Sequence, residues 1–238
     1  MIYAIGDIHG HLSKLELLLH KLIHHGMRDD DTLVFIGDYI DRGPETAGVI
    51  DLLIKLQASR PNTVFLRGNH EQLMLDARQR FEPEFDSNNP VGTCELGMHW
   101  FPNGGIETLR SYGELKGRHW SKIIPESHWN FVLNTQLEYE EAHYLFVHAG
   151  IVPPGLYWRF GVYDADPRLW IRDEFIRSRS DFGGRVVVYG HTPSSSGLPV
   201  IQANKLGIDT GAGFGGPLTA VGLKSKYDPR DLLIIQVK

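Results

Sequence analysis

The run Gly37-Asp38-Tyr39-Ile40-Asp41-Arg42-Gly43 constrains this chain more than any other stretch. It follows Thr32-Leu33-Val34-Phe35-Ile36, an apolar, β-branched segment of strand length. A buried strand therefore ends, a glycine turns the backbone, and two carboxylates and a guanidinium are delivered at the strand's C-terminal edge. Ligands bind at that edge in open α/β sheets. Carboxylate oxygens suit hard cations and an arginine fork suits a phosphate. One strand end thus carries parts for both.

Four more predicted strands end in the same kind of chemistry. Met1–Ile5 leads into Asp7 and His9, Thr63–Leu66 into Asn69 and His70, Tyr144–Val147 into His148, and Arg185–Tyr189 into His191. Glycines flank each ending and permit sharp turns. In extended chain, residues i and i+2 point the same way. Asp7 and His9 can then share one metal, whereas Asn69 and His70 should diverge. A lone Asp-x-His after a strand is more often turn chemistry than a ligand pair, and a lone histidine there is usually a satisfied core residue. Five such endings in order, expected at one edge of one sheet, point instead to a metal site. Mixed imidazole and oxygen ligands without thiolate suit Mn, Fe or Zn better than Ca.

Between these ends, apolar residues recur at helical spacing from Leu12 to Ile23, from Val49 to Leu56 and over Gln72–Phe81. Ser13 and Glu16 fit a capping box at the first helix. This βαβαβα rhythm predicts a mostly parallel sheet with helices on its faces. Residues 82–105 break it with proline, glycine and asparagine, a loop-rich insertion that Trp100 and Phe101 can pack down. Short helices are expected over Ile106–Tyr112, Ser127–Asn134 and around Leu169–Ile176. Gln136–Tyr139 and Tyr144–Val147 read as a strand pair. Lys205–Ile208, Leu218–Leu223 and Asp231–Val237 are close enough to predict a second, more antiparallel sheet. Residues 1–238 read as a single domain carrying the insertion.

A hydrophobic share of 42% is enough for a core, and a net charge of −5 argues against nucleic acid as partner. The one cysteine, Cys94, excludes an internal disulfide and fits a reducing compartment as a plain packing or surface thiol. The start of the chain reads directly as a strand, with no secretory h-region, and no apolar run reaches membrane-spanning length. These features predict a cytoplasmic protein with no membrane partner. They are silent on oligomeric state. His20, His24 and His25 share a predicted helix and read as a solvated face. Asp209 reads as a turn group.

Together, Gly6-Asp7-Ile8-His9-Gly10, Gly37–Gly43, Gly68-Asn69-His70-Glu71, His148-Ala149-Gly150 and Gly190-His191-Thr192 resemble the phosphoprotein phosphatase family within the calcineurin-like metallophosphoesterases. Asn103-Gly104-Gly105, Trp170-Ile171-Arg172 and Ile208-Asp209-Thr210-Gly211 are similar to stretches of its compact bacterial and phage serine/threonine phosphatases. The resemblance covers nearly the whole chain. It implies an α/β fold in which a two-sheet β-sandwich is flanked by helices (α/β/β/α), with metals at the C-terminal strand ends. It implies two divalent ions, Mn²⁺ first with Fe or Zn open. One ion would take Asp7, His9 and Asp38; the other would take Asp38, Asn69, His148 and His191.

On that implication, two divalent ions outweigh the ligating carboxylates, and Arg42 and Arg172 add charge that attracts a phosphate monoester dianion. Two ions about 3.5–4 Å apart also activate water near neutral pH for in-line displacement. The expected reaction is direct attack by a metal-bridging hydroxide on phosphorus. His70 would protonate the leaving group and Asp41 would orient His70. Arg42, Arg172 and Asn69 would bind substrate. The expected activity is dephosphorylation of phosphoproteins on Ser and Thr, with Tyr open. Asp41 and Glu71 favour that branch over a symmetrical dinucleoside polyphosphate hydrolase, the alternative enzyme. A catalytically silent binding module is the third reading. Specificity is expected to reside in residues 82–105 and 151–170, where Trp158 and neighbouring tyrosines would cover the site's edge.

Overall fold

The computed structural model describes residues 1–81, 97–113, 120–156 and 165–238. Cys94, His119, Trp158 and most of the predicted insertion lie outside the described residues. The first sheet has the order β10-β9-β1-β2-β3, built from β1 (Ile2–Ile5), β2 (Thr32–Phe35), β3 (Thr63–Phe65), β9 (Leu218–Leu223) and β10 (Leu233–Val237). The second has the order β4-β5-β6-β8-β7, from β4 (Glu138–Glu141), β5 (Tyr144–Val147), β6 (Val186–Tyr189), β7 (Val200–Ile201) and β8 (Lys205–Gly207). The helices are α1 (Leu12–His24), α2 (Thr46–Ser59), α3 (Asn69–Phe81), α4 (Gly97–Trp100), α5 (Gly105–Ser111), α6 (Glu126–Leu133), α7 (Pro167–Trp170) and α8 (Asp173–Ile176).

Strand residues alternate between faces, and that alternation writes the four layers. Ile2, Ala4, Val34 and Ile36 face inward with Phe146, Val186, Val188 and Leu206, forming the core between the two sheets. Their neighbours Tyr3, Ile5, Leu33 and Phe35 face the other way and pack on Leu15, Leu18, Val49 and Leu53 of α1 and α2. On the far side, Val147, Val187 and Tyr189 cover Phe175 and Ile171. The result is the expected α/β/β/α sandwich.

The strand assignments differ from expectation in one respect. β9 and β10 are antiparallel but join the first sheet, where β9 pairs with β1. The second sheet is parallel along β5, β6 and β8. Close spacing in sequence therefore misassigned the sheet: the short connection over residues 224–232 lets β9 and β10 pair antiparallel without deciding which sheet they complete. Two boundaries also move. His11 occupies the N-cap of α1 without a side-chain bond, and Ser13 donates to Glu45 at 3.4 Å, so the Ser13–Glu16 capping box does not form. The helix expected around Leu169–Ile176 divides into α7 and α8 at Ile171-Arg172. Trp100 and Phe101 are buried in the helical-side core, as the sequence led us to expect.

Candidate active site

The five strand endings converge, but from two sheets rather than one. Asp7, His9, Asp38, Asp41, Arg42, Asn69 and His70 follow β1, β2 and β3; His148 and His191 follow β5 and β6. All of them except Arg42 are buried. Asn69 and His70 also sit in the first turn of α3 rather than in extended chain. They still diverge, because successive helical residues point in different directions. Asn69 Oδ1 lies 3.0 Å from His148 Nε2 and 2.8 Å from His191 Nδ1. His70 turns to Asp41.

The loops that carry these side chains are strained. Among the described residues, six non-glycine positions have positive φ, and five of them are His9, Asp38, Asp41, Arg42 and His191. Each costs on the order of 1–2 kcal/mol for an L-residue, so something must hold them. Glu71, fully buried, does this for the Gly37–Ile40 turn. Its Oε2 accepts the N–H groups of Asp38 (2.9 Å) and Gly68 (2.8 Å), and its Oε1 those of Tyr39 (2.9 Å) and Ile40 (3.3 Å). Burial, with Asp38 beside it, pushes the Glu71 pKa up to about 7, against the pull of the Gly68 N–H. The two sheet-end turns also approach too closely for a side chain at Gly190, where a Cβ would stand 2.1 Å from Asp7 Oδ1.

Each imidazole is aimed by a second contact. His9 Nδ1 donates to Ile40 O at 2.9 Å and His148 Nδ1 to Ile36 O at 2.8 Å, which leaves both Nε2 atoms facing the site. His9, Asp38 and His70 each bring one ligand atom within 4.8 Å of the others, and so do Asp38, His148 and His191. Asp38 is common to both groups. Asp7 is in neither; its Oδ2 accepts from the His191 N–H at 3.0 Å.

The donor set fits divalent cations. Asp7 Oδ1 and His191 Nε2 are buried polar atoms that make no hydrogen bond among the described residues, a condition rare enough in folded proteins to require an explanation. Burial lowers the pKa of His9 to about 3 and that of His191 to about 2, so both rings are neutral and able to ligate. Burial opposes ionisation of Asp38, yet His148 and His70 hold its carboxyl well below the usual range. Burial and the neighbouring Asp209 raise Asp7 well above it. A cation would stabilise the charged forms of both. Asp209 itself accepts from the Gly211 N–H at 2.9 Å, in a turn.

A second arrangement borders the first. Asp41 Oδ2 receives His70 Nδ1 at 2.6 Å, while Trp100 Nε1 and Thr108 Oγ1 donate to the same carboxylate at 3.0 and 2.7 Å. Burial alone would lower the His70 pKa; Asp38 and Asp41 outweigh it and raise the value. Arg42 Nη1 donates to His9 Nε2 at 2.6 Å, and its Nη2 reaches His70 Nε2 at 3.0 Å. Arg172, exposed, donates to His191 O (3.0 Å) and Thr192 Oγ1 (3.1 Å) at the rim. Thr108 carried no signal in the sequence, and Trp100 read only as packing. Both act through contacts some sixty positions from Asp41 that no local pattern encodes.

A two-sheet α/β/β/α sandwich with a buried Asp/His/Asn cluster across its strand ends defines a metallophosphoesterase. The chain belongs to the calcineurin-like phosphoesterase family, whose model matches residues 1–205. It is 30% identical to serine/threonine-protein phosphatase 1 of Salmonella typhimurium, over 92% of this chain and 89% of that one. It is 27% identical to the asymmetrical bis(5'-nucleosyl)-tetraphosphatase PrpE of Bacillus thuringiensis, over 91% and 88%. A solved serine/threonine phosphatase from Saccharomyces cerevisiae shares the fold with a TM-score of 0.60 at 19% identity, over 99% of this chain and 78% of that one. Among the described residues no helix is long and apolar enough to cross a membrane.

Proposed function

We propose that this chain is a phosphoprotein phosphatase acting on serine and threonine, with tyrosine as a further substrate to be tested. Asp7, His9 and Asp38 would hold one divalent ion, and Asp38, Asn69, His148 and His191 the other, manganese being the first choice and iron or zinc the others. When bound, such a pair lowers the pKa of water and neutralises charge on the phosphoryl oxygens. Arg42, with Arg172 at the rim, binds the non-bridging oxygens. Residues 1–238 act as one domain in this reading.

The observation that carries the proposal is the 2.6 Å contact between His70 Nδ1 and Asp41 Oδ2. It fixes the ring so that Nε2 faces Arg42 and the phosphate position, and the carboxylate favours the protonated imidazole. A serine or threonine alkoxide is a strong base and needs a proton as it leaves. Proton transfer from His70 Nε2 supplies it. A nucleotide leaving group is already anionic at neutral pH and gains little from such an acid. The 30% identity to a serine/threonine phosphatase over 92% of the chain supports the same choice.

The second reading is hydrolysis of a dinucleoside tetraphosphate. It is favoured by the 27% identity to an asymmetrical tetraphosphatase over 91% of the chain, where the sequence had suggested the symmetrical class. Rates in Mn²⁺ on a phosphoserine peptide, a phosphotyrosine peptide and diadenosine tetraphosphate separate the two. A kcat/KM preference for the peptides supports the proposal. A hundredfold preference for the dinucleotide replaces it with the second reading.

A further inference from the structure

We infer that the groove between Pro193–Gly197 and Thr210–Gly216 is a subsite for the polypeptide flanking the phosphorylated residue, with Phe214 as its specificity-determining side chain. The inference rests on the phosphoprotein reading above.

Phe214 is 68% exposed, more than any other large apolar side chain among the described residues. That exposure is built into the fold. Phe214 closes a single 3₁₀ turn, Ala212–Phe214, between Gly211 (φ 86°) and Gly215 (φ 83°). The Gly216 N–H donates to Gly211 O at 2.8 Å, and Lys14 Nζ of α1 donates to Gly216 O at 2.7 Å. The same turn backs onto the site: a Cβ on Gly213 would stand 2.6 Å from the His9 ring. The Phe214 ring lies 4.4 Å from the Arg42 guanidinium carbon. An apolar face is thus held open beside the arginine proposed to grip phosphate.

The groove that Phe214 walls has a volume of about 510 Å³, within the range of ligand sites. Its other lining side chains are Pro193, Ser194, Ser195, Ser196 and Thr210, and none is charged. It begins two residues beyond His191. Serine hydroxyls offer donors and acceptors to a peptide backbone, and Phe214 offers apolar contact. The cations nearest the groove, Arg42 on the Phe214 ring and Lys14 on Gly216 O, stand at its edge and not among its lining side chains. Two further grooves are lined by Asp173, Glu174 and Arg177, and by Arg67, Asp76, Arg78 and Glu126. Neither lining includes Phe214, whose ring meets Arg42. The chemistry and the position therefore select an uncharged stretch of extended polypeptide.

The test compares a phosphoserine peptide with p-nitrophenyl phosphate, which carries no flanking polypeptide. Phe214→Ala should raise KM for the peptide by about tenfold, the effect of losing one buried aromatic contact. The loss in kcat/KM on p-nitrophenyl phosphate should be several-fold smaller, and Phe214→Tyr should recover the peptide KM. Ser195→Trp, at an exposed position, should fill the groove and again weaken the peptide selectively. Equal losses on both substrates in Phe214→Ala would reduce Phe214 to a support for Arg42 and overturn the subsite. So would an unchanged peptide KM in Ser195→Trp. Failure of the phosphoprotein reading looks different: the unmodified protein would prefer diadenosine tetraphosphate before any substitution is made.

Discussion

His70 Nδ1 lies 2.6 Å from Asp41 Oδ2, with both side chains buried and the carboxylate further held by Trp100 and Thr108. A carboxylate so restrained cannot rotate away from the imidazole, so the ring's tautomer and direction are decided before substrate arrives. If Nε2 delivers the leaving group's proton, His70→Asn should lower kcat on a phosphoserine peptide by roughly 10²–10⁴. The loss on p-nitrophenyl phosphate should be smaller, because nitrophenolate is a weak base and needs less help to leave. Both metals should remain bound, as read by elemental analysis. An equal loss on the two substrates would remove the acid role.

The Asp41 cradle can be loosened in steps. Thr108→Val removes a hydroxyl that donates to Asp41 Oδ1 at 2.7 Å and accepts the Asp41 N–H at 2.9 Å. This should reduce kcat by about tenfold, the equivalent of one mispositioned hydrogen bond, with KM little changed. Asp41→Asn should cost more, since the amide favours the wrong tautomer of His70. Steady-state kinetics on one peptide checks the order; a larger effect from Thr108→Val than from Asp41→Asn would contradict it.

Asp38 belongs to both groups of converging ligand atoms. Asp38→Asn should therefore lower occupancy of both ions, whereas His191→Ala should lower chiefly one. Dialysis against a chelator should abolish turnover in the unmodified protein, and added Mn²⁺ should restore it. Retention of two ions per chain by Asp38→Asn would rule out the bridging role.

Glu71 makes a prediction about stability rather than chemistry. Its carboxylate accepts four backbone N–H groups around the strained Gly37–Ile40 turn. Glu71→Gln places an NH₂ group against N–H donors and leaves at least one of them buried and unpaired. The expected cost is on the order of 1–3 kcal/mol, that of a buried donor left unpaired, read above pH 7, where Glu71 is chiefly ionised. Urea unfolding should show a lower midpoint with an unchanged slope. An unchanged midpoint would mean that the turn does not depend on Glu71.

The sequence alone singled out the Asp, His, Asn and Arg side chains that follow β1, β2, β3, β5 and β6, because each comes soon after a short apolar run and within two residues of a glycine. That signal is local. It arises from strand periodicity and from the backbone freedom of glycine, which short-range sterics decide. The apolar runs themselves also located β1, β2, β5 and β6.

What the sequence could not decide was set by contacts between distant elements. It placed the five endings on one sheet, whereas they meet from two, since sheet membership depends on which strands pair and not on their spacing. The direction of each imidazole is set by a carbonyl or carboxylate on another loop: Ile40 O for His9, Ile36 O for His148, Asp41 for His70. Thr108 and Trp100, which hold Asp41, and Glu71, which holds the Asp38 turn, work across long sequence separations. The turn that carries the exposed Phe214 is tied to α1 through Lys14, some two hundred positions away. Residue type and local backbone thus declared the chemistry available; the packing of two sheets and their loops decided which atoms meet.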